Sequence, residues 1–328
     1  MYNFVIFSTP SDYYDAAYHD LTNLSNVDYV RDVFETDNKF LKICFKINYY
    51  FQGKMFPKNP FKSFWNRFLF ESKFNNDNPI CFVFTERVLF LYNYGFIDFL
   101  RTNHLNAKFV CFLQDIGSTV KNVNLDSIFN EFDLSISYDK VDAQKYNILY
   151  HPTPYSLYPF DQKNKLQPSD IFFVGRAKNR LDEIIKSYEK LTDMGFSCDF
   201  HITDVDPKDQ KYSKDIHYNC RLTYEENLEH VKNSKYLLEI MQKEASGYSL
   251  RTWEAIFYEK FLITNNTFIK ESSFYNDKYI FVFESPKDFG EIMVKNLKEK
   301  INYNYKEKLN PQNLLKFIDK HLKPIKIN

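Results

Sequence analysis

The sequence predicts an α/β protein made of two doubly wound domains, each built on a parallel sheet. Short apolar runs alternate along the chain with longer segments of helical period, which is typical of βα units. A proline-rich stretch without a steady period interrupts this alternation near the middle, and the pattern then restarts. The length of 328 residues also favours two domains, because single cores seldom grow beyond about 250–300 residues.

Five apolar runs predict the strands of the first domain, which we expect to cover residues 1–152. They are Asn3 to Phe7, Ile80 to Phe84, Phe109 to Leu113, Leu134 to Ser137 and the weaker run Asn147 to Tyr150. The segment that follows carries four prolines between residues 151 and 170. It therefore predicts a linker at residues 153–168.

Five further runs predict the strands of the second domain, residues 169–305. They are Ile171 to Val174, Cys198 to Ile202, Tyr236 to Ile240, Phe261 to Thr264 and Ile280 to Phe283. Between the first two runs, a helix with its apolar side chains on one face is expected to end at Gly195. The remaining segment, residues 306–328, contains a last predicted helix at 311–322.

Charge and cysteine content exclude several classes of protein. The 43 basic residues balance the 43 acidic ones, so the net charge gives no support for a nucleic-acid partner. The five cysteines are widely spaced and form no CxxC or Cys/His ligand cluster, which predicts neither a disulfide framework nor a zinc site of that kind. No run of 18 apolar residues and no basic leader are present, so we expect a cytoplasmic protein that does not span a membrane.

The stretch from Tyr236 to Asn266 carries the clearest chemical signal. A strand ends near Ile240, a polar loop follows, and a helix begins near Leu250. Free N–H groups at the start of a helix bind phosphate, and Arg251 adds a charged donor beside them. The segment therefore predicts a diphosphate site, with Glu254 one turn into the helix, where its carboxylate can accept two hydroxyls of a ribose. The alternative is an ordinary strand-loop-helix connection with an acidic residue near the helix start.

A second cationic element follows the first strand of the second domain. Arg176 and Lys178 come directly after Gly175, at the kind of strand end where doubly wound sheets bind ligands. Both loops leave strands of one sheet, so we expect them at the same edge. Neither contains the GxGxxG pattern or a Walker lysine motif, which argues against dinucleotide oxidoreductases and P-loop kinases. A solvated loop is the alternative here.

Two segments of the second half together resemble the nucleotide-binding half of GT-B glycosyltransferases, particularly those that build bacterial lipopolysaccharide and capsule. They read DIFFVGRAKNRLDEIIKSYEKLTDMGFSCDFHI and YLLEIMQKEASGYSLRTWEAIFYEKFLITNN, and the resemblance covers residues 168–285. In the first half it rests on FVCFLQDIGS and FDLSISYDKVDAQKYNILYHPTPYS. The resemblance implies two Rossmann-like domains facing a central cleft, with residues 306–328 crossing back to the first. It also implies sugar transfer from a nucleotide-sugar to an acceptor without a bound metal or other cofactor.

The resemblance also implies roles for particular residues of the second half. The donor-binding set would be Gly175, Arg176, Lys178, Gly247, Tyr248, Ser249, Leu250, Arg251 and Glu254. Within it, Arg176 and Lys178 would face the diphosphate, and Glu254 would bind the ribose. Many retaining members carry two glutamates eight residues apart, whereas Ser246 stands eight residues before Glu254. The donor-sugar contact and the stereochemical outcome therefore stay open.

The first domain would bind the acceptor and supply any base that removes the proton of its hydroxyl. Asp12 and His19 follow the first predicted strand, and Asp115 follows FVCFLQ. We prefer Asp115, because a carboxylate just past a buried strand end faces the cleft. A helix-capping or loop-bonding role is the alternative for Asp115. His201 and His217, in the second half, are interpreted as structural or donor-side residues.

A basic segment rich in aromatic residues covers residues 54–73. Asn59 and Pro60 predict a helix start, after which Phe61, Trp65 and Phe68 share one face among several lysines. Such a helix can lie on an anionic membrane surface, which would suit a lipid-linked acceptor. The alternative is an amphipathic helix whose aromatic face packs on the sheet.

We therefore expect a glycosyltransferase of surface polysaccharide assembly, cytoplasmic or peripheral at the inner face of the membrane. Its partners would be a nucleotide-sugar donor and a saccharide or lipid-linked acceptor. One alternative is a catalytically silent subunit that binds a partner glycosyltransferase or a glycan. Another is a different nucleotide-sugar enzyme on the same architecture, such as an epimerase.

Overall fold

A computed structural model describes residues 2–34, 36–55, 65–71, 73–120, 123–160, 166–242, 245–292 and 300–322, and of residues 49–55 and 291–292 it describes the backbone alone. The chain forms two compact units. The first comprises Met1–Ser156 together with Asn310–Asn328, and the second comprises Leu157–Leu309.

The first unit contains a sheet of six parallel strands. They are β1 (Asn3–Phe7), β2 (Val27–Val30), β3 (Ile80–Thr85), β4 (Lys108–Leu113), β5 (Leu134–Ser137) and β6 (Leu149–Tyr150). Their order across the sheet is β2-β1-β3-β4-β5-β6, and every neighbouring pair is parallel. The order reverses between β1 and β3, so the carboxyl ends of these strands frame a switch point of the kind where ligands bind.

Helices of the first unit connect these strands. They are α1 (Asp12–Ala17), α2 (Lys39–Met55), α3 (Phe96–Asn103), α4 (Leu125–Ile128) and α5 (Lys140–Lys145), with 3₁₀ segments at His19–Leu21, Glu86–Tyr94, Gly117–Thr119 and Phe129–Glu131. Aromatic side chains fill the core between sheet and helices. The ring of Phe7 lies 5.0 Å from that of Phe84 and 5.5 Å from that of Phe96. Part of the 19% aromatic content therefore forms the hydrophobic core of this unit.

The second unit contains another sheet of six parallel strands. They are β7 (Ser169–Arg176), β8 (Cys198–Thr203), β9 (Ile216–Tyr218), β10 (Ser234–Glu239), β11 (Phe261–Thr264) and β12 (Ile280–Val282). The order is β12-β11-β10-β7-β8-β9. Here the order reverses between β7 and β10, which makes their carboxyl ends the switch point.

Helices of the second unit are α6 (Leu181–Asp193), α7 (Tyr224–Asn233), α8 (Leu250–Phe257), α9 (Phe289–Ile292) and α10 (Lys306–Leu309), with 3₁₀ segments at Pro207–Asp209, Thr267–Glu271 and Pro286–Asp288. α6 is followed by Gly195 in the left-handed region at φ 85°, as predicted for its end. α7 begins with a reciprocal cap in which Thr223 and Glu226 bond each other's backbone N–H groups.

The last helix, α11 (Pro311–His321), belongs to the first unit. The ring of Phe317 on this helix lies 4.9 Å from that of His151, just after β6. Among the helices of the described ranges, none has both the length and the apolar content that crossing a membrane requires.

Two strands were not predicted from the sequence. β2 carries Asp28 in the middle of a four-residue strand, and β9 is three residues long with His217 at its centre. Neither forms an apolar run, because both are edge strands with a partly exposed face. The ten predicted runs all coincide with strands.

Candidate functional site

Two loops meet at the carboxyl edge of the second sheet. One follows β7 and the other follows β10, and these strands are neighbours in parallel. Arg180 links the two loops, since its guanidinium donates to the backbone oxygen of Ile240 and, at 2.9 Å, to that of Arg176. The structure therefore brings together the two loops that the sequence singles out: the cationic loop after β7 and the loop after β10 that was predicted to bind phosphate.

Glu239 organises the start of α8. Its buried carboxylate, at the end of β10, accepts hydrogen bonds from the hydroxyls of Ser249, of Thr252 at 2.9 Å and of Thr264 at 2.5 Å. These hydroxyls come from the loop, the helix and the neighbouring strand β11. Because a buried carboxylate is stable only with its donors in place, these bonds fix the helix start in position.

Ser249 caps the N-terminus of α8. Its Oγ accepts the N–H of Arg251 at 3.1 Å, and its carbonyl accepts the N–H groups of Thr252 and Trp253. Within the described ranges, the N–H of Leu250 has no hydrogen-bond partner. This N–H is the first of the helix and lies at the positive end of the helix dipole, where an anion binds well.

Gly247 and Tyr248 hold the loop against the interior of the unit. Both are buried, and the side chain of Asn266 donates to the Gly247 carbonyl at 3.0 Å. The Tyr248 ring lies 5.4 Å from that of Trp253 and 5.0 Å from that of Phe274. These two residues of the predicted donor set therefore shape the loop through packing and a backbone contact.

Arg176 and Lys178 are exposed cations at this edge. The Arg176 side chain is 64% exposed, and its Nε lies 2.5 Å from an Asp204 carboxylate oxygen. Lys178 is exposed, adopts a left-handed backbone at φ 47°, and has no partner for its ammonium group in the part of the chain that the structure describes. Gly175 precedes them in a tight place, since a Cβ there would lie 3.3 Å from the Phe173 ring.

The side chains of Arg251 and Glu254 point into the unit instead. Glu254 is fully buried, pairs with Arg251 and accepts the amide N–H of Asn227 at 2.7 Å. Arg251 also donates to the Asn227 amide oxygen at 3.1 Å and lies 5.0 Å from the centre of the Phe172 ring. Burial raises the pKa of the Glu254 carboxyl, and Arg251 opposes that shift.

These contacts bear on the ligand roles suggested by the resemblance. Both side chains are buried, and each is already bonded to the other and to Asn227, so a ribose or a phosphate would have to compete with these contacts. The roles of these two side chains at ribose and phosphate therefore stay predictions. In this structure Arg251 and Glu254 attach α8 to α7 through their contacts with Asn227.

The carboxyl edge of the first sheet carries the predicted acids. Asp115 lies two residues past β4, is 32% exposed, accepts the N–H of Ile116 at 2.9 Å and lies 3.7 Å from the Arg87 guanidinium. Asp12 begins α1, is 61% exposed and lies 4.0 Å from Arg31. His19, the other residue considered, lies in the 3₁₀ segment that follows α1. Asp12 and Asp115 thus stand on either side of the end of β3.

Glu86 lies between these two aspartates, directly after β3. It is buried and accepts the Tyr14 hydroxyl at 2.5 Å and the Gln114 backbone N–H at 2.9 Å, while Arg87 lies 3.3 Å away. Burial raises the pKa of the Glu86 carboxyl, and these hydrogen bonds oppose that shift. Sequence reasoning missed Glu86, although it follows an apolar strand just as Asp115 does.

Comparison with known proteins gives fold-level matches. No protein-family model matches the chain, and neither does any curated protein sequence. An alpha-glucosyltransferase in complex with UDP and a 13-mer DNA is 10% identical with a TM-score of 0.54, over 98% of this chain and 100% of that one. The chain has the GT-B fold.

Two further structures agree with this. An alpha,alpha-trehalose-phosphate synthase (UDP-forming) from Burkholderia vietnamiensis is 10% identical, with a TM-score of 0.51 over 97% of this chain and 94% of that one. A structure described as the glycotransferase of kitacinnamycin is 9% identical, with a TM-score of 0.50 over 98% and 99%. The predicted fold class, two Rossmann-like domains of the GT-B type, is therefore confirmed.

Proposed function

We propose that this GT-B protein is a glycosyltransferase that moves a sugar from a nucleotide-sugar to a saccharide or lipid-linked acceptor. We place it in bacterial surface polysaccharide assembly, on the cytoplasmic side. The observation that carries the proposal is the donor edge, which we define as Arg176, Lys178 and the free N–H of Leu250. A helix N-terminus at the same sheet edge as two cations is suited to a diphosphate. Because one structure of this fold is in complex with UDP and another is of a UDP-forming synthase, UDP is the first nucleotide to test.

In this proposal the donor edge stabilises the leaving group. The bond between the anomeric carbon and the diphosphate oxygen breaks, and a bond from that carbon to the acceptor oxygen forms. Negative charge develops on the departing diphosphate, where the Leu250 N–H, Arg176 and Lys178 would offset it. Two cations and a helix N-terminus supply this stabilisation without recourse to a bound metal.

The acceptor edge, which we define as Tyr14, Glu86, Arg87 and Asp115, would handle the incoming hydroxyl. Asp115 is the partly exposed carboxylate of this group, so we assign it the proton that the hydroxyl loses. Arg87 contacts both Asp115 and Glu86, and Glu86 is held by Tyr14. We therefore assign Arg87 and Glu86 to positioning Asp115.

The donor edge is tested by removing one N–H without removing the helix. Leu250→Pro deletes the N–H at the first helical position, where proline is well tolerated, and Ser249 already has the extended backbone that proline requires before it. Leu250→Ala is the matched control, because it loses the side chain but keeps the N–H. Both variants and the wild type are titrated by calorimetry with UDP, GDP, CMP, ADP and dTDP.

We expect one nucleotide to bind the wild type and Leu250→Ala with similar affinity and Leu250→Pro at least about tenfold more weakly, since a hydrogen bond to a charged group contributes about 1.5–3 kcal/mol. Equal affinity of the proline and alanine variants would contradict the donor edge. If none of the nucleotides binds, the silent subunit becomes the better hypothesis. Consumption of a nucleotide-sugar with no acceptor, giving an isomeric nucleotide-sugar, would instead indicate an epimerase.

The membrane contact expected at residues 54–73 falls largely outside the described residues. Where that segment is described, Trp65 and Phe68 lie 5.4 Å and 6.0 Å from the ring of Phe45, a buried residue of α2. Trp65 is therefore partly buried against α2, whereas Phe68 contacts the same ring and stays 43% exposed. Exposed apolar side chains occur on α2 itself.

We propose that the outer face of α2 makes the peripheral membrane contact. Phe40, Ile43 and Ile47 are 74%, 55% and 51% exposed and recur at helical spacing. Lys39 and Lys46 are exposed on the same helix. An apolar stripe bordered by lysines suits an anionic lipid surface, where a lipid-linked acceptor would be found.

The membrane contact is tested by flotation with phosphatidylglycerol-containing vesicles, compared with pure phosphatidylcholine. We expect the wild type to float with the anionic vesicles and Ile43→Asp to stay behind. Leu105→Asp is the control, since Leu105 is 89% exposed and lies on no helix. Equal flotation of the two variants, or no flotation of the wild type, would refute the α2 contact.

A further inference from the structure

A cluster of histidines surrounds one aspartate in the second unit, on residues that the donor edge does not use. Asp199 and His201 lie two residues apart on β8 and therefore on the same face of the sheet. His217 on β9 is the cross-strand partner of His201, and His230 comes from α7. Three of the chain's seven histidines thus gather at one place.

The nitrogens of two of these histidines converge on the Asp199 carboxylate. His201 Nε2 lies 2.9 Å from one carboxylate oxygen, and His230 Nδ1 lies 2.5 Å from the other. One ligand atom from each of the three residues lies within 4.8 Å of the other two. Two strand residues and one helix residue therefore present a compact set of one oxygen and two nitrogen ligands.

Packing holds the imidazole rings in place. The His201 ring is stacked on that of His217 at 4.6 Å and meets that of His230 edge-on at 4.7 Å. His230 is in turn stacked on Phe172 at 5.2 Å. Because the rings are fixed by neighbours on both sides, the ligand atoms need little ordering to bind an ion.

The cluster is enclosed, and it leaves ligand capacity unused. Side-chain exposure is 7% for His201, 14% for His230 and 19% for Asp199. His201 Nδ1 is buried and has no hydrogen-bond partner among the described residues. A partly buried carboxylate needs positive charge beside it, and a metal ion held between the two imidazoles would supply that charge. His217, whose ring is stacked on that of His201, is exposed to solvent.

We propose that Asp199, His201 and His230 bind a divalent transition-metal ion such as Zn²⁺, with the fourth position open to water or to His217. Imidazole nitrogens and a carboxylate oxygen are ligands that zinc takes readily. Bond lengths of roughly 2.0–2.2 Å to one shared ion require ligand atoms that lie close together, as the three ligand atoms within 4.8 Å of one another do. The cysteines play no part in this site.

An ion here would connect β8 to α7. The same helix carries Asn227, which supports Arg251 and Glu254 beneath α8. Metal binding would therefore hold α7 in place. Through Asn227, α7 in turn holds the two α8 residues Arg251 and Glu254. This role adds stability and does not depend on the proposed transfer reaction.

The site is tested by metal titration of the full chain after chelator treatment and dialysis. Zn²⁺ uptake is measured by calorimetry, and Co²⁺ uptake by visible absorption, whose intensity reports four-coordinate geometry. We expect one ion per chain for the wild type and an affinity at least about tenfold weaker for His230→Gln and Asp199→Asn. The controls are His104→Gln and His321→Gln, which remove histidines outside the cluster and should leave binding unchanged.

Several results would overturn the site. A wild-type chain that takes up no ion refutes it regardless of the variants, as do cluster and control variants that bind equally well. If His230→Gln fails to fold, Asp199→Asn carries the test, because it removes the one oxygen ligand while keeping the size of the side chain. Binding by Asp199→Asn as tight as that of the wild type would refute the site. Thermal melts add a readout independent of spectroscopy, since Zn²⁺ should raise the Tm of the wild type and of the two controls more than that of His230→Gln or Asp199→Asn.

Discussion

The two parallel sheets carry different chemistry at their carboxyl edges. After β3 and β4 the first sheet presents Glu86 and Asp115, whereas the second presents Arg176 as the last residue of β7 and Lys178 just after it. Both edges lie at a switch point of a doubly wound sheet, so the backbone alone does not distinguish them. The difference teaches that the few residues at the end of each strand, rather than the shared architecture, distinguish the two edges. In the proposed function they would assign phosphate to the second unit and hydroxyl chemistry to the first.

The largest effect is expected for a buried carboxylate of the second unit. Glu239→Ala should lower the free energy of unfolding by about 3 kcal/mol, because it leaves the buried hydroxyls of Thr252 and Thr264 without their acceptor. Urea unfolding monitored by circular dichroism measures this change. Glu307→Ala, at an exposed site on α10, is the control and should change stability by less than about 0.5 kcal/mol. Similar losses in both variants would show that Glu239 does not organise the donor edge.

The next largest effect is expected on the rate of sugar transfer when the proposed base of the acceptor edge is removed. Asp115→Asn should slow sugar transfer by about a hundredfold, since it removes the proposed base while keeping shape and size. The rate is followed as nucleoside diphosphate released from the nucleotide-sugar that the binding panel identifies. Asp12→Asn is the matched control, because Asp12 is more exposed and is not bonded to the Glu86 group. A larger loss in Asp12→Asn than in Asp115→Asn would reassign the base.

Acid should destabilise the first unit through His151. Burial lowers the pKa of this imidazole to about 4, between the rings of Phe112 and Phe317. The unfolded chain binds a proton below about pH 6.5, and the folded chain does so only near pH 4, so stability is complete above pH 6.5 and falls as the pH drops. From pH 8 to pH 5 the loss should be about 2 kcal/mol.

His151→Gln should flatten this pH dependence, while His321→Gln, at an exposed site on α11, should keep it. Denaturant titrations at pH 8 and pH 5 provide the comparison. A pH dependence that survives unchanged in His151→Gln would place the acid-sensitive group elsewhere in the chain.

The smallest effect is expected for the free ammonium at the donor edge. Lys178→Gln should weaken nucleotide binding about threefold, because an exposed charge contributes below about 1 kcal/mol. Lys208→Gln is the control, as Lys208 is 75% exposed and lies outside both loops. Raising the salt concentration should shrink the difference between these variants. A difference that salt leaves untouched would argue against a charge contact.

The fold could be predicted from the sequence because ten strands are apolar enough to stand out from the helical segments. β2 and β9 could not, since Asp28 and His217 interrupt edge strands that have little apolar length. The two loops of the donor edge were also predictable, because the ends of parallel strands share an edge. The directions of the side chains could not be predicted from the sequence. Arg251 and Glu254 turn inward to meet Asn227, which is distant in sequence, so no local pattern reveals their pairing.

The sequence analysis also did not identify the two buried glutamates at the strand ends. Glu239 and Glu86 stand at strand ends, where an isolated polar residue looks like the ordinary end of an apolar run. Only the hydroxyls and N–H groups gathered around them show that they are integral to each edge. The signal available from sequence was the one applied to Asp115, a carboxylate directly after a buried strand.

The central claim is that the nucleoside diphosphate part of the donor binds the donor edge and not the acceptor edge. Calorimetric titration of the matching nucleoside diphosphate into Arg176→Ala and Asp115→Asn tests it most directly. We predict a Kd about tenfold higher for Arg176→Ala, from the loss of a charge-assisted contact, and a wild-type Kd for Asp115→Asn. Wild-type affinity in Arg176→Ala together with weakened binding in Asp115→Asn would contradict the account.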